Sequence, residues 1–75
     1  MQKGTSVEVI FGKILREVRE EKGLTQEKLA ELADVDRTYI YRLETGKRSP
    51  SLSVLMRIAK GLKVSPGILL DRIHK

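Results

Sequence analysis

An all-α chain, folded as a compact bundle of five short helices, is predicted by three features of the sequence. Apolar residues recur at three- and four-residue spacing in five separate segments. Each segment is preceded by a serine, threonine or aspartate placed to cap it. No stretch alternates apolar and polar residues as a half-buried strand would. The length of 75 residues suits one domain spanning 1–75.

The first helix runs from about Val7 to Glu21, capped by Thr5 or Ser6. Val7, Phe11, Ile14, Leu15 and Val18 form its inward stripe. Gly23 ends it in the left-handed conformation common at helix C-termini. Thr25 caps the second helix, which continues through Leu29, Ala30, Leu32 and Ala33. Leu24 and Leu29 sit at the two ends of a hydrophobic staple. Asp36 caps the third, with Val35 and Ile40 as its staple. Only Asp34 and Val35 separate the second helix from the third. So short a turn forces a steep crossing, and the small Ala30 and Ala33 let the helices approach closely.

The fourth helix follows Pro50, with Ser51 as N-cap. Leu52, Leu55, Ile58, Ala59 and Leu62 form its buried stripe, and Gly61 weakens its last turn. The fifth has Ser65 as cap and Pro66 at the first helical position, where a missing N–H costs nothing. Val64 and Leu69 make a third staple. It turns Leu69, Leu70 and Ile73 toward the core and leaves Ile68 pointing nearly opposite.

A chain this small buries about 60% of the surface its unfolded form exposes. With no cysteine, neither a disulfide nor a thiolate metal site is available. Stability must come from helix packing and, as one further source, dimerisation. The longest apolar runs, Val9–Phe11 and Ile68–Leu70, are far too short to span a membrane. No signal peptide is visible, so a cytoplasmic protein is expected. The net charge of +5 is unevenly placed. Residues 1–36 carry six Lys/Arg against eight Asp/Glu, and residues 37–75 carry nine against two. The positive half begins at the third helix, as a polyanion-facing surface would require.

On a helical wheel, Arg37, Thr38, Tyr41, Arg42 and Thr45 fall within an arc of about 140°. Ile40 and Leu43 lie opposite, with Tyr39 and Glu44 at the borders. One face can donate and accept hydrogen bonds and the other is apolar. Arginine's planar fork matches the O6 and N7 acceptors of guanine, and threonine can bond a base or a phosphate. Taken alone, Arg37 and Arg42 read better as ordinary solvated helix residues, since most charged helix faces are only solvated. The tight turn, the caps and the staples select the other reading: a helix-turn-helix over about 25–45 that lays its second helix in the major groove of double-stranded DNA.

These residues resemble the Cro/C1-type (XRE-like) helix-turn-helix family of phage repressors and bacterial regulators. The resemblance rests on Phe11-Gly12, Leu15-Arg16, Arg19, Lys22-Gly23-Leu24-Thr25-Gln26, Leu29-Ala30, Ile40, Leu43-Glu44, Gly46-Lys47 and Pro50. It continues in Leu55, Ile58-Ala59, Leu62, Val64-Ser65 and Leu69-Leu70, and so covers roughly residues 8 to 72. Asp36-Arg37-Thr38-Tyr39-Ile40 also resembles the recognition helix of restriction–modification controller proteins. The resemblance implies the phage-repressor DNA-binding fold and an operator-binding homodimer. It places Arg37, Thr38 and Arg42 at base-reading positions, which Tyr41 joins as a groove contact. It places Gln26, Tyr39, Thr45, Lys47 and Arg48 at phosphates. Arg19 and Glu44 match a structural ion pair, and Ile68 with the segment Ser49 to Ser53 matches the subunit contact. Asp34 departs from the family, which commonly has glycine there. Aspartate tolerates the left-handed region better than most residues.

Several residues keep a plainer alternative. Tyr39 and Tyr41 can equally be packing aromatics, Glu44 a solvated carboxylate, and Ile68 a stray exposed isoleucine. Arg57, Lys60 and Lys63 read as solvated surface before phosphate contacts. Two rival functions oppose DNA reading. An enzyme would have to be built from His74 and Asp71, with no nucleophile, phosphate loop or metal-ligand cluster, so no cofactor, metal or catalytic residue is expected. A protein-interaction module that has lost DNA binding is opposed by the two reader arginines. The expected protein is a dimeric transcription regulator without an effector domain, controlled by protein dose, cooperative operator binding or a partner protein.

Overall fold

The computed structural model describes residues 6–74, the side chain of His74 excepted. Five helices follow in order: α1 (Val7–Glu21), α2 (Gln26–Ala33), α3 (Arg37–Glu44), α4 (Leu52–Leu62) and α5 (Pro66–His74). Among the described residues there is no strand, and no helix is long and apolar enough to cross a membrane. The fold is the all-α five-helix arrangement that the spacing predicts.

Side-chain caps open three of the helices. Ser6 Oγ accepts from Val9 N at 3.2 Å, Thr25 Oγ1 from Lys28 N at 2.9 Å, and Ser51 Oγ from Val54 N at 3.2 Å. Thr5, the alternative first cap, lies outside the described residues. Ser65 Oγ accepts from Ile68 N at a long 3.4 Å. Asp36 corrects an expectation: it occupies the cap position of α3, but its side chain makes no capping bond. The donor it would take, Tyr39 N, is already bonded to the Asp36 carbonyl at 3.0 Å, in a first turn closed by backbone alone.

The first four helices end alike. After each, a residue in the left-handed region lets the next N–H reach back to the carbonyl five residues earlier. The bonds are Leu24 N to Arg19 O, Val35 N to Ala30 O, Lys47 N to Arg42 O and Val64 N to Ala59 O, all within 2.9–3.1 Å. The left-handed residues are Gly23, Asp34, Gly46 and Lys63. At three of these ends the donor is apolar and packs against the core: Leu24, Val35 and Val64. Each thereby belongs both to the stop of one helix and to the staple of the next. After α3 the donor is Lys47, an exposed cation. The chain leaves the core where the reader helix ends.

Leu15, Leu29, Ile40, Leu43, Ile58, Leu62 and Leu69 are the largest fully buried side chains. Three apolar residues expected inside are exposed: Val7, Leu52 and Leu70. In α4 the stripe is Val54, Leu55, Ile58, Ala59 and Leu62, which turns Leu52 to the border and brings in Val54. In α5 the inward row is Leu69 and Ile73, one turn apart, and Leu70 sits about 100° off it. Gly61 does not end α4 early. A Cβ there would lie 3.1 Å from Leu32 Cβ, so the bare position lets α4 close on α2.

Candidate nucleic-acid interface

The reader helix is held from beneath by α1. A Cβ on Gly12 would come within 2.3 Å of Leu43 O and 2.7 Å of Glu44 O. Only glycine allows α1 to cross the last turn of α3 this closely. Gly46 does similar work one turn on, with φ +75 and Val9 Cγ2 at 2.7 Å from where its Cβ would be. Sequence reasoning registered Gly12 only as part of a motif. The signal available was a glycine in mid-helix, which marks close packing more often than chance.

A buried polar junction fixes the same helix. Arg19 Nε donates to Glu44 Oε2 at 2.6 Å, and Nη2 donates to Glu44 Oε1 at 3.0 Å. Arg19 Nη1 donates to Leu24 O at 2.8 Å. Gln26 Nε2 donates to Glu44 Oε1 at 3.0 Å. The Arg19 and Glu44 side chains are only 10% and 3% exposed, so the Glu44 carboxylate is not solvated. The hydrogen bond to Glu44 raises the Arg19 pKa above the ordinary arginine value, its burial opposing. No buried side-chain polar atom among the described residues lacks a partner. One carboxylate thus joins α1, α2 and α3.

With its underside anchored, α3 presents the other side to solvent. Ile40 and Leu43 are fully buried, while Arg37, Thr38, Tyr41, Arg42 and Thr45 are exposed. Its 8 residues make a rod about 12 Å long. Tyr39 is half-buried against the core, and the Arg48 guanidinium lies over its ring, 4.9 Å from the centroid. Asp36, Thr38, Tyr39, Arg42 and Arg48 line one shallow recess beside the helix. Arg19, Thr25, Gln26, Glu27 and Arg37 line another at the head of α2. Two of these relations were not foreseen, the Tyr39–Arg48 stack and the Asp36 carboxylate in the recess, because both need the loop after α3 to fold back. That loop is tied by Ser49 Oγ, which donates to Glu8 Oε2 at 3.1 Å. Glu8 is held below the usual glutamate range by a backbone hydrogen bond first and Ser49 second.

The remaining site residues are placed as follows. Lys47 and Arg48 are exposed immediately after α3. Thr45 Oγ1 donates to Tyr41 O at 2.9 Å, so its proton is already engaged within the helix. Gln26 is half-buried, its amide turned to Glu44. Ser53 and Ile68 are exposed on α4 and α5, well away in sequence from the reader helix.

A cationic, anchored reader helix behind a short turn defines the class of helix-turn-helix DNA-binding regulators. A helix-turn-helix family model matches residues 15–69. The chain belongs to this family, the DNA-binding transcriptional regulators of Cro/C1 (XRE) type. It is 42% identical over 67 residues to control protein C.BamHI of Bacillus amyloliquefaciens, covering 88% of this chain and 83% of that one. It is 40% identical over 70 residues to control protein C.MunI of a Mycoplasma species, covering 92% and 95%. Among solved structures, the restriction–modification controller protein C.AhdI of Aeromonas hydrophila superposes with a TM-score of 0.80 at 44% identity, covering 81% of this chain and 92% of that one. These similar proteins are regulators, not enzymes.

Proposed function

We propose that this chain works as a single DNA-binding domain that reads an approximately palindromic operator as a homodimer, in the manner of a restriction–modification controller. The observation that carries the reading is the division of α3. Its apolar side is buried in the core, and Arg37, Thr38, Tyr41 and Arg42 stand free on the other. In the major groove these four would meet base edges, with the arginines at guanines. Gln26, Lys47, Arg48 and Tyr39 flank them and would grip phosphates, setting register without choosing sequence. The start of α2 adds backbone amides that favour an anion. Thr45 would join them only by releasing its bond to Tyr41 O. Ile68 and Ser53 would lie at the subunit contact, leaving the two reader helices on one side of the duplex. Such work belongs in the cytoplasm, beside the chromosome.

The test is selection of bound duplexes from a random pool, followed by titration at several salt concentrations. The expected result is an inverted repeat bound at least about a thousandfold tighter than random DNA at physiological salt. Equal affinity for all duplexes would leave a non-specific binder and end the operator reading.

A further inference from the structure

A second cationic surface lies apart from the reader helix. Two adjoining recesses run between α2 and the C-terminal half of α4, and share Leu32, Gly61 and Lys63. Lys22 and Lys28 edge one of them, Arg57 and Lys60 the other. All five cations are exposed. Among the described residues one carboxylate lines the recesses, Asp34, 3.9 Å from Arg57, and Glu31 lies 3.5 Å from Lys28 at the edge. Both pairs are loose and well solvated, so they neutralise little of the rim. The floor is apolar. Leu32 is 47% exposed there, and Gly61 offers no side chain to cover it.

We propose that this groove docks an acidic segment of a partner protein, which seats an apolar side chain on Leu32 while its carboxylates meet the lysine rim. Two features favour a protein over a second nucleic acid. No aromatic ring lines either recess to stack a base, and four of the five cations are lysines, point charges without the fork that nucleic acids select. An exposed leucine at the centre instead rewards apolar burial, with the charges giving orientation and encounter rate. No residue of α3 lines the groove. Because α2 packs on both α3 and α4, a segment bound here would ride beside the DNA without displacing it.

The experiment uses the full chain and a short synthetic peptide with a leucine flanked on both sides by glutamates. Its controls are the same peptide with glutamine for glutamate and a random DNA duplex. Amide chemical shifts report the site, and fluorescence anisotropy the affinity. Shifts are expected at Lys28, Leu32, Gly61 and Lys63. Leu32→Gln and the charge-reversed pair Lys60→Glu/Lys63→Glu should each weaken the peptide roughly tenfold or more. The peptide should also bind the chain already held on DNA. Three results would overturn the proposal: equal binding of the glutamine peptide, shifts centred on Arg37, Arg42 and Lys47, or displacement of the peptide by the duplex. The last would make the groove a second polyanion site. Since the free chain takes the peptide, failure here leaves the operator and dimer readings untouched, and their failure leaves this one.

Discussion

Arg37 and Lys47 are both exposed cations within one helix and its loop, yet they should answer different measurements. Arg37 stands exposed at the first position of α3, where the proposed reading puts its fork at a guanine edge. Arg37→Ala is expected to lose about 1–3 kcal/mol at the cognate operator and to relax specificity at one base pair. Equal losses on cognate and random DNA would reduce it to a phosphate contact. Lys47 donates its backbone N–H to Arg42 O, and its side chain is exposed. Lys47→Ala should weaken every duplex alike and lower the slope of log K against log salt by about 1. An unchanged slope would take Lys47 out of the interface. Arg37, Thr38, Tyr41 and Arg42 were legible as a face because a wheel needs only residue types and a period. The Tyr39–Arg48 stack was not, since it joins residues across the turn after α3, and no local period carries that contact.

At the scale of elements, α3 keeps its tilt through one carboxylate shared by three helices. Glu44→Ala would leave Arg19 buried with Leu24 O as its remaining acceptor among the described residues. Removing one partner of a buried pair costs about 3–5 kcal/mol, a large part of the stability of a small domain. Denaturant unfolding should show it as a lower midpoint at unchanged slope. Arg19→Met combined with Glu44→Leu should recover most of that loss, because apolar replacement of both partners is often neutral. A wild-type midpoint for Glu44→Ala would mean the junction contributes nothing to stability. The turn before α3 gives a second test. Asp34 adopts φ +59, a region that disfavours most side chains by about 1–2 kcal/mol but suits glycine. Asp34→Ala should therefore melt below Asp34→Gly, and the reverse order would show that the left-handed backbone at this position does not limit the turn. Helix starts and stops were legible because caps, staples and left-handed positions are local chemistry. Val7, Leu52 and Leu70 were misplaced because helical period finds a stripe but not its edges, which depend on where the neighbouring helix crosses. Lys63 ends α4 in the left-handed region with no compositional signal at all.

The whole molecule leaves apolar surface that a monomer does not use. Leu52 is 75% exposed, Met56 52%, Leu70 47% and Ile68 44%, all on α4 and α5. Met56 also borders a shallow apolar recess with Ala59, Val64 and Pro66. Single exposed apolar residues need no explanation, but four on two helices that pack together offer a surface for the proposed subunit contact. None lies on α3, so pairing through α4 and α5 would leave both readers free. A two-fold axis there would set the reader helices about 34 Å apart, one turn of the duplex, and demand an inverted repeat in the operator. Stability then depends on concentration, since a chain of this size gains from association. Ile68→Glu places a charge in the proposed contact without touching the core or the reader face. Sedimentation and light scattering should give a dimer for the wild type and a monomer for Ile68→Glu at the same concentration. On DNA, the variant should bind single half-sites with the wild-type base preference but lose the gain from having two. If Ile68→Glu still dimerises and binds normally, the contact lies elsewhere, with Leu70 and Met56 the next positions to charge. If the wild type itself binds one half-site as a monomer at every concentration, the dimer is wrong.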